Sequence, residues 1–306
     1  MSVTFYGKTY WDVELQVPLQ SLSEGKGKVD VPVTMTIGGF ACNAARAIEG
    51  FPSLGCCVVT VCAPADQARV QHALPAAASF YPMLSKDDPA LLPDISVILN
   101  PASDCRILRD PGADDDASFR VDAIADESWR SELHVLGRVP LAFASALIEK
   151  LRQSGKRVAW CGGDALPQSV EEHCDVLCVN TKEASALLGV GVGEASTLEL
   201  ASRLAERAKS GEAMRLVTGR GSQPTIVAFR EGDAIRTAES NPKAIPKEEI
   251  VGFLGVGDSF AANFLVTTFL MPDGSLRATP DPALGLAAAQ EAASHFLTHP
   301  RPRGGQ

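Results

Sequence analysis

The chain has 306 residues, of which 45% are hydrophobic and 21% charged, and its formal net charge is −9. This composition is typical of a globular protein of enzyme size, and the negative charge argues against non-specific binding to nucleic acid. No apolar run is long enough to cross a membrane, and residues 1–7 lack the features of a signal peptide. We therefore expect a cytoplasmic protein with neither a membrane nor a nucleic-acid partner.

The eight cysteines form no C-x-x-C pair, and most lie in apolar, strand-like surroundings such as residues 56–62. His173, close to Cys174 and Cys178, is the nearest approach to a metal-ligand cluster, but a second pair at a zinc-binding spacing is missing. We therefore expect buried free thiols in a reducing compartment rather than a disulfide or metal framework.

The first third of the chain mixes two kinds of pattern. Partial alternation of apolar and polar residues predicts two pairs of half-exposed strands, at residues 12–17 and 29–37 and at residues 95–100 and 105–108. An alanine-rich helix is predicted at residues 41–49. Buried strands are predicted at residues 3–6 and 56–61. The two hairpins do not fit a simple alternation of strands and helices, so we expect them to form a small second sheet.

From residue 133 onward, strands alternate with helices. The predicted strands cover residues 133–136, 157–161, 176–179 and 215–218, with a hairpin at 225–229 and 234–237. The predicted helices cover residues 141–152, 167–173, 181–188, 198–209, 259–270 and 282–297. This order is typical of a doubly wound, mainly parallel sheet with helices on both faces, and we predict an α/β fold. In such sheets ligands bind beyond the carboxyl ends of the strands.

A glycine-rich stretch precedes the predicted helix 259–270. Gly255 and Gly257 flank Val256, and Asp258 follows them. Glycines allow a ligand to approach the backbone closely, and the N–H groups of a helix N-terminus attract anions such as phosphate. Asp258 could cap the helix, or it could act as a base beside the bound phosphate. The stretch alone leaves both interpretations open.

A second glycine-rich stretch precedes the helix at 41–49. Gly38 and Gly39 stand before it, and Asn43 falls in its first turn, where an amide can donate and accept hydrogen bonds to a polyol. Two glycines before a helix can also be a simple turn. Elsewhere the chain contains no P-loop, no G-x-G-x-x-G after its first strand and no G-x-S-x-G elbow.

The two stretches, in this order and about two hundred residues apart, resemble the ribokinase-like (PfkB) family of carbohydrate and nucleoside kinases. The resemblance runs from the first strand to the last helix. Gly38, Gly39, Asn43 and Ala45 match the family pattern G-G-x-x-x-N-x-A, which lines the sugar site. Asp12 resembles the early substrate-binding Asp of the family, although it could also be a turn residue. The resemblance therefore implies substrate contacts at Asp12, Gly38, Gly39 and Asn43.

The C-terminal family motif D-T-x-G-A-G-D-x-F is matched by Gly255, Gly257, Asp258 and Phe260, with Val256 in the small central position. The resemblance implies that Asp258 is the catalytic base. It also implies that the backbone of Gly255, Val256 and Gly257 forms an anion hole. The family's leading Asp-Thr is replaced here by Gly252-Phe253. In related kinases that Asp helps to hold a monovalent cation, so potassium activation is not implied.

Two further elements resemble the nucleotide-binding part of the family. Asn180 and Glu183 match its N-x-x-E element, which is linked to magnesium and phosphate, although this pair could instead be a capping box. The T-x-G element near the nucleotide resembles Thr218-Gly219, followed by Gly221. The resemblance thus implies ATP and Mg²⁺ as cofactors, with Glu183 acting on the metal indirectly through water.

The family's lid, a small sheet beside the main one, would account for the two hairpins. We expect a single ribokinase-like domain over residues 1–299, lid strands from about 12–37 and 95–120, and a disordered tail at 300–306. The exposed lid also predicts a surface for a homodimer.

The expected function is ATP-dependent phosphorylation of a hydroxyl group on a sugar or nucleoside. A kinase of another small alcohol remains an alternative. The replacement at position 252 leaves open a third alternative, a non-catalytic ligand-binding descendant of the same fold.

Overall fold

The computed structural model describes residues 2–15, 33–51, 53–84, 95–99, 106–110, 118–162, 166–209 and 211–299. The tail predicted at 300–306 and Cys105 lie outside these residues. The strands in the described part are β1 Ser2–Lys8, β2 Tyr10–Leu15, β3 Val33–Gly38, β4 Gly55–Cys62, β5 Ala78–Leu84, β6 Ile95–Leu99, β7 Arg106–Asp110, β8 Leu133–Leu136, β9 Arg157–Cys161, β10 Val176–Asn180, β11 Met214–Thr218, β12 Thr225–Glu231 and β13 Ala234–Ser240.

The α-helices in the described part are α1 Phe40–Ala47, α2 Gln67–Ala73, α3 Leu141–Gln153, α4 Gln168–Glu171, α5 Thr181–Leu188, α6 Thr197–Arg207, α7 Val256–Phe269 and α8 Pro282–Thr298. Short 3₁₀ segments occur at Pro64–Asp66, Val121–Ala123, Asp126–Arg130 and Lys247–Glu249. No helix in the described ranges combines the length and the apolar character that a membrane crossing requires.

The large sheet contains nine of these strands in the order β13-β12-β11-β10-β9-β8-β1-β4-β5. From β11 to β5 all neighbours are parallel, whereas β12 and β13 add an antiparallel hairpin at one edge. The predicted doubly wound, mainly parallel sheet is therefore confirmed. The strands β8, β9, β10 and β11 end side by side, which collects the loops that follow them at one edge of the sheet.

Helices cover both faces of this sheet. Successive residues of a strand point to opposite faces, so Phe5 and Val58 lie in one core while Tyr6 and Val59 lie in the other. The first core packs against α1, α7 and α8, and the second against α3 and α6. These apolar strands are buried on both sides, as expected for a parallel sheet.

The small sheet has the order β3-β2-β6-β7. Both predicted hairpins are present, as antiparallel pairs β2–β3 and β6–β7, and a parallel pairing of β2 with β6 joins them. Their bounds differ by a few residues from the prediction, and residues 16–32 and 100–105 lie outside the described part. Asp12, Ser96 and Ile98 are buried on one face of this sheet, although Ile107 on the same face is exposed. Val33, Met35 and Leu108 are exposed on the opposite face.

The helix predicted at 167–173 is shorter, Gln168–Glu171, and two other elements differ in ways that have a clear physical reason. Strand β5 was not predicted because Pro82 interrupts its pattern. Among the described strands it is at the edge of the large sheet and pairs with β4 alone, so the missing backbone N–H of Pro82 is tolerated there. Helix α7 begins at Val256 rather than at residue 259, because Gly255 adopts a left-handed conformation (φ +87°) and serves as the N-cap. Gly257 and Asp258 therefore belong to the first helical turn.

Candidate active site

Two helices that begin after a glycine meet at the site. Helix α1 follows Gly39, with φ +96°, and helix α7 follows Gly255, with φ +87°. The helices pack against each other, and Asn263 in α7 ties them together. Its Nδ2 donates to the carbonyl of Ala47 at 3.2 Å and to that of Ser259 at 3.0 Å. This packing brings the two glycine-rich stretches of the sequence side by side.

A hydrogen bond connects the polar residues of these two stretches. Asn43 Nδ2 donates to Asp258 Oδ2 at 2.8 Å. The amide is held in this orientation because its Oδ1 accepts from Arg46 at 3.0 Å, and Arg46 also donates to the carbonyls of Ile37 and Cys42. The donor side of the amide thus faces the carboxylate, although the two residues are 215 positions apart in the chain.

Asp12 lies nearby, beside the glycines that precede α1. The residue is only 4% exposed. A Cβ atom added to Gly38 would lie 1.9 Å from Asp12 Oδ2, so the absence of a side chain at Gly38 makes room for this carboxylate. A Cβ at Gly39 would lie 2.0 Å from the carbonyl oxygen of Lys8. Both glycines are therefore required by close contacts within the protein.

A cavity of about 140 Å³ opens at the ends of β9, β10 and β11, next to the first turn of α7. It is lined by Phe40, Arg138, Cys161, Gly162, Cys178, Val179, Asn180, Glu183, Leu216, Thr218, Gly257, Asp258, Phe260 and Ala261. Five residues predicted from the sequence, Asn180, Glu183, Thr218, Gly257 and Asp258, are thus brought together. Asn43 adjoins them through its bond to Asp258, whereas Asp12, Gly38 and Gly39 lie beside α1 rather than on the cavity wall.

The first turn of α7 points its positive end at this cavity. The N–H of Val256 donates to the carbonyl of Phe253 at 3.3 Å, and the N–H of Ser259 donates to Gly255 at 2.9 Å. Gly257 is different, because no described atom outside the helix's own backbone lies within 4 Å of the position that a Cβ would take there. Gly257 therefore marks the open point of the turn.

Asn180 and Glu183 form a complete capping box at the start of α5. Asn180 Oδ1 accepts from the backbone N–H of Glu183 at 3.0 Å, and Glu183 Oε2 accepts from the backbone N–H of Asn180 at 2.9 Å. The capping box, which the sequence left open as an alternative for Asn180 and Glu183, is therefore present. The pair nevertheless lines the cavity, and the Glu183 carboxylate faces Gly162, at 3.5 Å from where a Cβ on that glycine would be.

The Thr218-Gly219 element lies at the end of β11. The hydroxyl of Thr218 donates to the carbonyl of Val179 at 3.4 Å and lines the cavity. Gly219 and Gly221 lie in the turn that leads to β12, outside the cavity wall. A Cβ at Gly219 would lie 2.4 Å from the carbonyl oxygen of Gln223, and Gly221 has φ +63°. These two glycines are explained by the geometry of the turn.

The prediction missed Arg138, which lines the same cavity. Arg138 follows Gly137 after β8, is exposed, and has φ +54°. Among the described residues it is the one non-glycine with a positive φ. A single arginine after a glycine carries no sequence signal, because its backbone conformation and its neighbours are visible only in the structure.

The thiols of Cys161 and Cys178 also face the cavity. Burial raises the pKa of Cys161 well above its ordinary value, and the neighbouring Cys178 and Asp258 raise it further. The thiol is therefore neutral at physiological pH and is unsuited to act as a nucleophile or base. The seven cysteines of the described part are free thiols, as predicted.

The described residues contain no group of three or more His, Cys, Asp and Glu side chains that could hold a metal ion. A resident all-protein metal site is therefore not formed by them. The carboxylate of Glu183 on the cavity wall fits a magnesium–nucleotide complex, because Mg²⁺ keeps several waters and is commonly bound by one or two carboxylates together with substrate phosphates.

The sequence model of the pfkB family carbohydrate kinases matches residues 138–290, which is half of the chain. The chain therefore belongs to the pfkB family, and the resemblance seen in its motifs is confirmed. A comparison with curated protein sequences finds no significant match.

Solved structures with the same fold include several kinases. The Anopheles gambiae adenosine kinase, in complex with P1,P4-di(adenosine-5) tetraphosphate, has a TM-score of 0.74 at 15% identity, with 97% of this chain and 95% of that chain covered. The Arabidopsis thaliana ribokinase, complexed with ribose and ATP, has a TM-score of 0.67 at 17% identity, with 96% and 92% covered. The Burkholderia thailandensis nucleoside kinase, in complex with inosine, has a TM-score of 0.65 at 16% identity, with 97% and 91% covered.

At these identities the likeness shows the fold, and the predicted ribokinase-like architecture is confirmed. Together with family membership, it supports a kinase of the sugar or nucleoside type in general terms.

Proposed function

We propose that this protein transfers the terminal phosphoryl group of ATP to a hydroxyl group of a sugar or a nucleoside. The observation that carries the proposal is the 2.8 Å hydrogen bond from Asn43 to Asp258. It joins the predicted polyol-binding stretch to the predicted phosphate-binding stretch at a cavity. A carboxylate in that place can accept the proton of an attacking hydroxyl while the adjacent helix end attracts the phosphoryl group.

In this proposal the acceptor lies on the α1 side of the site. Asn43 holds the Asp258 carboxylate in position, and Asp12 offers a second carboxylate that can accept hydrogen bonds from polyol hydroxyls. Gly38 and Gly39 shape the backbone around them. The ribose in the complex of the Arabidopsis thaliana ribokinase and the inosine in that of the Burkholderia thailandensis nucleoside kinase support a small polyol or nucleoside as the acceptor class.

The nucleotide lies on the β10–β11 side. Asn180, Glu183 and Thr218 face the cavity there, and Gly219 and Gly221 form the turn beyond them. Magnesium would be bound mainly by the nucleotide phosphates and water, with the Glu183 carboxylate nearby, and it would neutralise charge on the phosphates. The protein itself orients the nucleotide and provides the N-terminus of α7, which is already formed.

The backbone of the first turn of α7 stabilises the transferred phosphoryl group. Phosphoryl transfer depends mostly on positioning and on charge stabilisation, and oriented N–H groups supply the latter without reorganisation. Gly255 sets the direction of the turn and Gly257 keeps it open to the ligand. The N–H of Val256 must leave the Phe253 carbonyl before it can contribute, so we assign the larger share to the N–H groups that follow it.

We further propose that the small sheet is a lid over the site and that two copies of the chain pair through it. The sheet's outer face presents Val33 and Met35, each 58% exposed, and Leu108, 60% exposed. A second copy could cover this face with the same apolar residues. Light scattering of Met35→Glu should then give a monomer where the unmodified protein gives a dimer, and an unchanged mass would contradict the pairing. Single-domain organisation over residues 1–299 and a cytoplasmic location remain predictions.

The test of the function is Asp258→Asn, which keeps the size of the side chain and an oxygen for Asn43 while removing the base. We expect kcat with sugars or nucleosides as acceptors to fall by about 10³-fold or more, which is within the range for loss of a general base. The control is Glu199→Gln. Glu199 is the third residue of α6, as Asp258 is of α7, and its backbone N–H donates to Ser196 Oγ. Glu199 does not line the cavity.

Release of ADP is measured against a panel of sugars, nucleosides and other small alcohols. Full activity of Asp258→Asn would refute the base assignment. Phosphorylation of only the small alcohols would show that the acceptor is another small alcohol rather than a sugar or a nucleoside. ATP binding without turnover on any acceptor would favour the non-catalytic alternative.

A further inference from the structure

Arg138 stands out among the cavity residues because its conformation is strained. Its φ of +54° places an arginine in the left-handed region, which costs an L-residue other than Gly, Asn or Asp roughly 1–2 kcal/mol. Strain of this kind persists only where surrounding structure imposes it, and it is found disproportionately at functional sites. Backbone strain does not by itself identify a function, so the contacts and the charge around the Arg138 side chain are needed as well.

The guanidinium has no partner within the described part of the chain. Arg138 forms no ion pair or hydrogen bond there, and the side chain is exposed at the cavity. Arg46, by contrast, is used internally, because it donates to Asn43 Oδ1 and to two backbone carbonyls. Arg138 is therefore a cation that the described part of the structure does not pair.

The charge of the cavity makes this cation stand out further. Of the described residues on the wall, Arg138 is the one cation, whereas Glu183 and Asp258 are acids. A guanidinium binds carboxylate or phosphate through two parallel hydrogen bonds and stays charged at any physiological pH. An oxyanion is therefore the class of ligand that suits this side chain.

The topology places Arg138 at the acceptor end rather than the nucleotide end. Strand β8, which Arg138 follows, is the neighbour of β1, whereas Asn180 and Thr218 end strands two and three places away from β8 in the sheet. Gly137 packs directly on Phe40, the first residue of α1, since a Cβ there would lie 2.2 Å from the Phe40 ring. Arg138 thus belongs beside the α1 stretch that carries Asn43.

From these observations we propose that Arg138 binds an anionic group of the phosphoryl acceptor, so that the preferred acceptor is a sugar acid or a sugar phosphate. The proposal rests on the kinase function proposed above and narrows its substrate class. A neutral sugar or nucleoside would offer the guanidinium no anionic group, whereas a carboxylate or phosphate on the acceptor would pair with it.

The test compares acceptors that carry an anionic group with the neutral parent sugar: gluconate and glucose 6-phosphate against glucose, and ribose 5-phosphate against ribose. One variant is Arg138→Asn, which is neutral and tolerates the left-handed conformation. The other is Arg138→Lys, which keeps the charge but cannot form the two parallel hydrogen bonds of a guanidinium. Arg120→Asn is the control, because Arg120 forms an exposed ion pair with Asp122. Thermal unfolding checks that Arg138→Asn folds at least as stably as the unmodified chain.

We expect the unmodified protein to prefer at least one anionic acceptor over its neutral counterpart. Arg138→Asn should lower kcat/KM for that acceptor by about 100-fold or more, leave the neutral acceptor and the KM for ATP unchanged, and be partly rescued by Arg138→Lys. A neutral acceptor that is used as well as its anionic counterpart would overturn the proposal. So would an equal loss with both acceptors together with a raised KM for ATP, which would place the arginine on the nucleotide.

Calorimetric titration of the same acceptors separates this inference from the kinase function. If no acceptor is phosphorylated, the proposed function fails, and the titration alone decides on Arg138. Weaker binding of the anionic acceptor to Arg138→Asn would still support the inference. Equal affinity of the two proteins, or no binding of any anionic acceptor, would refute it.

Discussion

The starts of α1 and α7 look alike in sequence but differ physically. Each helix follows a glycine with positive φ, Gly39 or Gly255, and neither N-cap has a side chain. At α1 the glycines are enclosed, because a Cβ on Gly39 would collide with the Lys8 carbonyl and one on Gly38 with Asp12. At α7 the next glycine, Gly257, borders open space. The first pair of glycines is therefore explained by packing, whereas Gly257 leaves room for a ligand to approach.

The difference shows how one pattern can have two uses in the same site. The enclosed start of α1 fixes the positions of Asp12 and Asn43, since the backbone there cannot move without clashes. The open start of α7 leaves a place where a phosphoryl group can approach the end of a helix. Substitutions that add a single methyl group should separate these roles.

The largest expected effect is that of Gly39→Ala. The methyl group would lie 2.0 Å from the Lys8 carbonyl oxygen, and alanine is strained at φ +96°. We expect a loss of at least about 3 kcal/mol in the free energy of unfolding, because strain and overpacking add here. Urea denaturation measures it. Gly50→Ala, at a position with no atom within 4 Å and no positive φ, is the control and should change stability by less than about 1 kcal/mol.

Gly257→Ala should give the opposite pattern. The position is helical and open, so alanine should leave stability unchanged or raise it by up to about 1 kcal/mol. The methyl group would stand where the ligand approaches, and we expect kcat/KM to fall by about 100-fold, in the range seen when one element of an oxyanion hole is lost. Unfolding curves and steady-state kinetics on the same sample test both halves. Normal kinetics would contradict the open-helix-end role.

The sequence was informative wherever local chemistry decides the structure. Helix α5 has the predicted bounds, because the Asn180–Glu183 capping box starts it and Gly189, in the left-handed conformation, ends it. The contact of Asn43 with Asp258 was not predicted, since nothing local relates residues 215 positions apart. The family resemblance implied only a substrate-binding role for Asn43 and the role of base for Asp258. The conformation of Arg138 depends on tertiary packing around Gly137, which no local pattern encodes.

Asn43→Ala tests the bond that joins the two helix starts. Removing the amide takes away the donor to Asp258 and the acceptor for Arg46, so the carboxylate loses its fixed orientation. We expect kcat to fall by about 10-fold, because general-base catalysis depends on position. The control is Asn263→Ala, which loosens the same helix pair through the Ala47 carbonyl without touching Asp258. An equal loss of kcat in both variants would assign the effect to helix packing.

Glu183→Gln has the smallest expected effect and separates two roles of one side chain. Glutamine also completes a capping box, so the free energy of unfolding should change by only about 0.5 kcal/mol, the contribution of a charge at a helix N-terminus. If the carboxylate also attracts Mg²⁺ through water, the Mg²⁺ concentration for half-maximal activity should rise several-fold, since a neutral amide attracts the cation less. Glu199→Gln, the acid at the equivalent position of α6, should reproduce the change in stability and leave the Mg²⁺ dependence alone. A Glu183→Gln enzyme with unaltered Mg²⁺ dependence would reduce Glu183 to a cap. The nucleotide side of the site would then owe its affinity for the metal to the phosphates alone.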